Sequence, residues 1–118
     1  MTDALVMRRA SDVRVVGLIS LAHGSSHFFH LILPPMFPWL KAEFGFNYAE
    51  LGLLMTIFFV VSCIVQAASG FLVDRIGARP VLFAGVGLLA LAALTYSQSN
   101  GYAMLVLGAV IAGCGNGI

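Results

Sequence analysis

What most constrains this chain is where its charge is missing. Two apolar runs, Leu51–Val73 and Val81–Tyr96, contain no charged residue, and the stretch that joins them is crowded with charge. Gly70-Phe71-Leu72-Val73-Asp74-Arg75-Ile76-Gly77-Ala78-Arg79-Pro80 holds three of the eleven charged side chains, of which six are basic and five acidic. A charge at the centre of a membrane helix costs about 2.5–3.5 kcal/mol, so this cluster belongs at a membrane surface, in a tight turn between two spanning helices. Gly77 suits a positive φ in that turn, and Pro80 suits the first turn of the next helix.

Composition agrees. Only 9% of residues are charged and 60% are hydrophobic, with a mean hydropathy of +0.99, where a soluble domain has about 25% charged residues. The expected class is an all-α membrane protein embedded in a lipid bilayer. A net charge of +1 offers no basic face to nucleic acid. Cys63 and Cys114 both fall inside apolar runs and read as small buried hydrophobes, neither disulfide partners nor zinc ligands.

Taken in order, residues 1–14 form a lead with Arg8, Arg9 and Arg14. A first span is expected over 15–40, about 39 Å of helix against a hydrocarbon core of about 30 Å, with Pro34, Pro35 and Pro38 bending or fraying its far end. Phe37, Trp39, Phe44, Phe46 and Tyr48 form an aromatic belt around a short loop carrying Lys41, Glu43 and Glu50. Asn47 and Glu50 have the spacing of an N-cap and its box partner. The second span covers 51–73, where Ser62, Gln66 and Gly70 recur at the four-residue spacing of a helix–helix contact. A third span (81–96) and the Ser97–Gly101 turn lead to a fourth (102–118).

Five of the six basic residues lie in the N-terminal lead and the Asp74 turn, and only Lys41 lies on the other side. The positive-inside rule puts the N-terminus and the Asp74 turn in the cytoplasm, and a plasma membrane is expected. In the fourth span Ala109, Gly113 and Gly117 make a small-residue stripe suited to a partner helix. The fourth run ends without a polar flank, so the chain reads as the front of a longer protein.

Gly70-x-Leu72-x-Asp74-Arg75-x-Gly77-x-Arg79, between a second and a third span, resembles the signature loop of the major facilitator superfamily. The resemblance implies a twelve-helix fold of inverted three-helix repeats, for which this superfamily is a standard example; the present chain would supply the first four helices. It implies that Gly70 permits close approach to a helix of the opposite half. It also implies that Asp74, with the arginines, faces the N-terminus of that helix and holds the inward side shut. One position departs from the pattern: Ala78 stands where the family usually has a basic residue. Pro38-Trp39-Leu40-Lys41-Ala42-Glu43-Phe44 followed by Gly52 is similar to the first outer loop of fosmidomycin-resistance-type efflux transporters. In that branch, as here, a Gly113-Cys114-Gly115-like segment need not follow an arginine.

The remaining chemistry lies in His23, Ser26, His27 and His30. At 100° per residue the three histidines share about 60° of arc on one helix face. Ionisable groups inside a membrane usually face a cavity or a partner. The family likeness places the first and fourth helices around a central cavity, which would bring Asn116 to the same space. One or more of these histidines is therefore a candidate for contact with a small-molecule substrate or for uptake of a coupling proton. The competing possibility is neutral, hydrogen-bonded packing. Zinc could use three imidazoles, but no acid lies in the run to orient them, so neither metal nor cofactor is expected. Enzymes built on histidine boxes need several boxes near the surface, and this chain has one in mid-span.

The leading expectation is a secondary active transporter, coupled to protons, effluxing a small molecule and completed by the remaining helices of a full-length protein. Two alternatives are a four-helix multidrug transporter acting as a dimer and a non-transporting membrane assembly subunit. The first of these relies on an acid in its first helix, and no Asp or Glu lies between Val15 and Leu40.

Overall fold

The computed structural model describes residues 2–118, and the elements are helical throughout: α1 (Thr2–His30), a 3-10 turn (Pro34–Met36), α2 (Phe37–Phe44), α3 (Tyr48–Ile76), α4 (Ala78–Ser97) and α5 (Tyr102–Gly117). They form a slender body of 65 × 28 × 21 Å. Its outer surface is greasy: Phe71 is 76% exposed and Phe83 74%. Surface of that kind is unfavourable in water and ordinary in lipid. Three helical stretches, Asp3–Phe44, Tyr48–Ile76 and Ala78–Ser97, are long and apolar enough to cross a membrane. α5 is a further apolar helix of 16 residues.

The start of the chain differs from the expected lead and span. Residues 2–14 continue the helix without a break, and α1 ends at His30 instead of running to Leu40. Proline chemistry accounts for the stop. A proline lacks the N–H that would bond four residues back, and its ring crowds that carbonyl. For Pro34 the residue four back is His30, the last of α1. The expected loop carrying Lys41 and Glu43 is also helix: both lie in α2, which closes on Gly45 in the left-handed conformation (φ 71°, ψ 17°). Lys41 Nζ sits 4.1 Å from the centre of the Tyr48 ring.

Each later boundary has a local cause. Asn47 Oδ1 accepts from Glu50 N at 2.8 Å, and a Glu50 carboxylate oxygen accepts from Asn47 N at 2.9 Å. This reciprocal box starts α3. At its other end Gly77 takes φ 89° and donates its N–H to Val73 O at 2.8 Å, a conformation that a residue with Cβ adopts at a cost. Pro80 then occupies the first turn of α4, where N–H groups have no intrahelical acceptor. The hydroxyls of Ser97 and Ser99 donate to Leu94 O and Tyr96 O, each at 2.7 Å. Each adds a second bond to a carbonyl that already accepts a backbone N–H, from Gln98 and from Ser99 respectively, as short hydroxyl side chains do at helix ends.

The core is organised by α5, which lies along both α3 and α4, while those two helices touch each other little. The approach is backbone to backbone. A Cβ on Gly113 would stand 2.8 Å from Phe58 O, and one on Gly117 would stand 2.6 Å from Ser62 O, both on α3. On the other side, a Cβ on Gly115 would come within 2.9 Å of Gly85 O on α4. Ala109 is fully buried beside Phe58, Ala92 and Ala112. Toward the α2 end a leucine cluster (Leu33, Leu40, Leu51, Leu54, Leu105) fills the space below Phe44, Phe46 and Tyr102. The Tyr102 hydroxyl ties the start of α5 to α3 by donating to Glu50 O at 2.7 Å. Cys63, expected inside, faces outward, and Cys114 is half-buried; the apolar run around Cys63 faces lipid as well as core, so membership of that run did not imply burial.

Candidate functional site

α1 meets α4 and α5 sparsely, and the gap between them is a cavity of about 420 Å³. Its α1 wall carries His23, Ser26, His27 and His30, α5 contributes Asn116, and Gln66 and Ser69 enter from α3. The histidine face and Asn116, assigned to one space by two different sequence arguments, therefore line one cavity. Among the described residues, no Asp, Glu, Lys or Arg lines it.

Two polar arrangements shape the wall. In the first, Ser26 Oγ donates to Asn116 Oδ1 at 2.5 Å, and Asn116 Nδ2 donates to Ser62 Oγ at 2.7 Å. One amide, using its acceptor and one donor, bridges α1, α5 and α3. Ser62 is only 5% exposed, so its hydroxyl has no water to turn to and this bond satisfies it. Sequence reasoning grouped Ser62 with helix packing. The structure puts it in contact with the α5 backbone at Gly117 and also in the cavity's hydrogen-bond chain.

In the second arrangement His23 Nε2 and His27 Nε2 lie 3.1 Å apart, with their rings edge to face at 4.6 Å between centroids. His30 stacks on His27 at 5.9 Å and sets its ring edge-on to Phe58 and Phe59, at 4.9 and 4.7 Å. The two phenylalanines were not singled out from the sequence. They are adjacent in an apolar run; Phe58 also packs in the core beside Ala109, and the docking of α1 brings both rings to His30.

The remaining candidates separate into two places. Gln66 presents its exposed side chain to the cavity, while its backbone abuts Gly117. Gly70, one turn further along, has open space around it: a methyl group added there would meet nothing within 4 Å. Leu72, Asp74, Arg75, Gly77 and Arg79 are exposed at the far end of α3 and the start of α4. They sit away from the cavity, as a surface cluster about a sharp turn. A second, mostly apolar space of about 300 Å³ lies toward α2, lined by Phe29, Trp39, Phe44, Tyr96 and Leu105 among others.

Comparison with known proteins adds to this geometry. The chain is similar to the bacillibactin exporter of Bacillus subtilis (strain 168), at 29% identity over 90 residues, which covers 72% of this chain and 22% of the exporter. The chain thus spans about a fifth of the length of that relative. No solved structure matches it. The family model of the Major Facilitator Superfamily matches residues 19–118, a range that takes in the histidine face, the Asp74 turn and the glycine face of α5. A match across that range, well over half of the chain, shows that the chain belongs to the Major Facilitator Superfamily, a family of membrane transporters.

Proposed function

We propose that the chain forms the opening helices of a secondary active transporter that moves a small molecule by alternating access, in proton-coupled efflux. The observation that carries this reading is the cavity wall, where three imidazoles and the Ser26–Asn116–Ser62 chain face a space free of fixed charge. Histidine is the side chain whose ordinary pKa, about 6.5, lies within the physiological range. Among the described side chains that line this wall none is a carboxylate or a permanent cation, and the imidazoles are the ones able to change its charge. The name of the Bacillus relative, an exporter, favours efflux as the direction.

The Asp74 turn is the second part of the reading. Asp74 lies in the last turn of α3, beside the negative end of its own helix dipole. A carboxylate there gains about 0.3–2 kcal/mol by meeting the positive N-terminus of another helix. We assign it, with Gly70, Arg75, Gly77 and Arg79, to a cytoplasmic latch that closes the inward side, with the N-terminus on the same side of the plasma membrane.

Both parts are tested in one assay: transport by the polypeptide of the complete open reading frame in vesicles, with and without an imposed proton gradient. His23→Gln, His27→Gln and His30→Gln are each assayed from about pH 5.5 to 7.5, bracketing the imidazole range. At least one of them is expected to flatten the pH profile, and Asp74→Asn is expected to slow turnover several-fold. Three glutamine variants with the parent's rates and pH profile would remove the proton role. An unchanged Asp74→Asn variant would remove the latch.

A further inference from the structure

We infer that His23 and His27 form a two-imidazole clip for one borderline transition-metal dication of the Zn2+, Cu2+ or Ni2+ class, held on the α1 wall of the cavity. The two residues are four apart on a continuous helix, the spacing that puts two side chains on one face one turn apart. Their Nε2 atoms are 3.1 Å apart. Two nitrogens bound at about 2.0–2.1 Å to one zinc ion are separated by about 3.3 Å in a tetrahedron and about 2.9 Å across the edge of an octahedron. The observed separation falls between these, so the two nitrogens have the spacing of two ligands on one ion.

The surroundings set the type of site. Imidazole suits zinc, copper and nickel, whereas magnesium and calcium seek carboxylate and carbonyl oxygen, and no Asp or Glu side chain is among the described residues that line this cavity. Among the described residues no three His, Cys, Asp or Glu side chains converge as a metal-binding set. His30 does not supply a third ligand because its ring is taken up between His27, Phe58 and Phe59. A closed structural zinc site uses four protein ligands. A two-imidazole clip leaves positions open, and both rings are exposed toward the cavity. The bound ion therefore completes its coordination with water or with a donor atom of a molecule in the cavity. This is exchangeable binding, distinct from a resident metal.

The expectation of no metal was based on the lack of an acid to orient the rings. In the structure the rings orient each other, edge to face, which a sequence spacing does not reveal. The same 3.1 Å contact also suits a simple N–H···N hydrogen bond, and the experiment separates the two.

The test is calorimetric titration of ZnCl2 into the complete transporter, purified without a polyhistidine tag and reconstituted in lipid nanodiscs. One saturable site per chain is expected. His23→Gln and His27→Gln should each weaken it at least about tenfold, while His30→Gln stays within about twofold. A helix-register rescue guards against loss of fold. Ile19 also lines the cavity and lies four residues before His23, so Ile19→His added to His27→Gln rebuilds the spacing and should recover most of the affinity. No saturable zinc binding by the parent would overturn the clip and leave a hydrogen-bonded pair. So would parent-like affinity in either single variant, or a double variant no better than His27→Gln. The readout is equilibrium binding, so it is decided separately from whether the cavity carries a proton-coupled substrate.

Discussion

The two helices that face each other across the cavity, α5 and α1, are held in opposite ways. In α5, Gly108, Ala109, Ala112, Gly113, Gly115 and Gly117 are all buried, and their missing or minimal side chains let two neighbouring backbones come close. In α1 every described side chain from Asp3 to Leu21 is exposed, and its glycines, Gly17 and Gly24, have open space around them. Between helices in lipid, hydrophobicity gives no drive to associate, because the tails are as apolar as the side chains. Association rests on close packing and on hydrogen bonds. α5 uses the first, and α1 is joined to α5 through the second, by the Ser26–Asn116 bond. Among the described residues, the helix with most of the ionisable chemistry is the one least fixed by packing.

Three substitutions would break or sharpen this contrast. The largest effect is expected from Gly117→Leu, whose first side-chain carbon would stand 2.6 Å from Ser62 O and 2.7 Å from Val65 Cβ. Overpacking of that kind costs about 3 kcal/mol. Thermal unfolding of the complete transporter in detergent should show it as a marked fall in melting temperature or as loss of monodisperse protein. A variant as stable as the parent would mean that α3 and α5 are not in backbone contact.

A smaller effect is expected from Asn116→Ala. It strips the partner from Ser26 and leaves the buried Ser62 hydroxyl unpaired, a loss of about 1 kcal/mol for an interhelical bond in a membrane. A cysteine pair placed across α1 and α5 should then cross-link less readily, whereas a pair across α3 and α5 should be unaffected. Equal loss in both pairs would show that the amide supports the whole bundle and does not serve α1 in particular. The smallest effect is expected from Gly17→Ala. The new methyl meets nothing, and the gain in helix propensity keeps stability within about 0.5 kcal/mol of the parent or slightly above it. A destabilised Gly17→Ala would reveal a close neighbour on a face that the structure leaves open.

The boundaries that were legible in the sequence are those with a local cause. The Asn47–Glu50 box, the positive φ of Gly77 and the position of Pro80 follow from residues within a turn of one another. The end of α1 was misplaced, although Pro34 acts on a carbonyl only four residues away, because hydrophobicity continues smoothly through the prolines and hides the break. α2 was missed for a related reason: Lys41 and Glu43 look like loop residues, but a short helix with one face on the leucine cluster leaves its charges outside. At the site, the His23–His27–His30 face could be read from helical periodicity alone. That Ser62 would close a hydrogen-bond chain, or that Phe58 and Phe59 would meet His30, depends on the register between helices.

The sequence by itself determined the class of protein, the number of apolar runs and the charged turn between two of them, because the cost of putting charge into hydrocarbon is set residue by residue. It also determined which helix faces are small and which are polar, since the helical period is common to all chains. Which of those faces meet was decided by the tertiary structure alone. A methylene of misfit between two backbones, or one amide placed to bond in two directions, is a property of three helices together and of none of them separately.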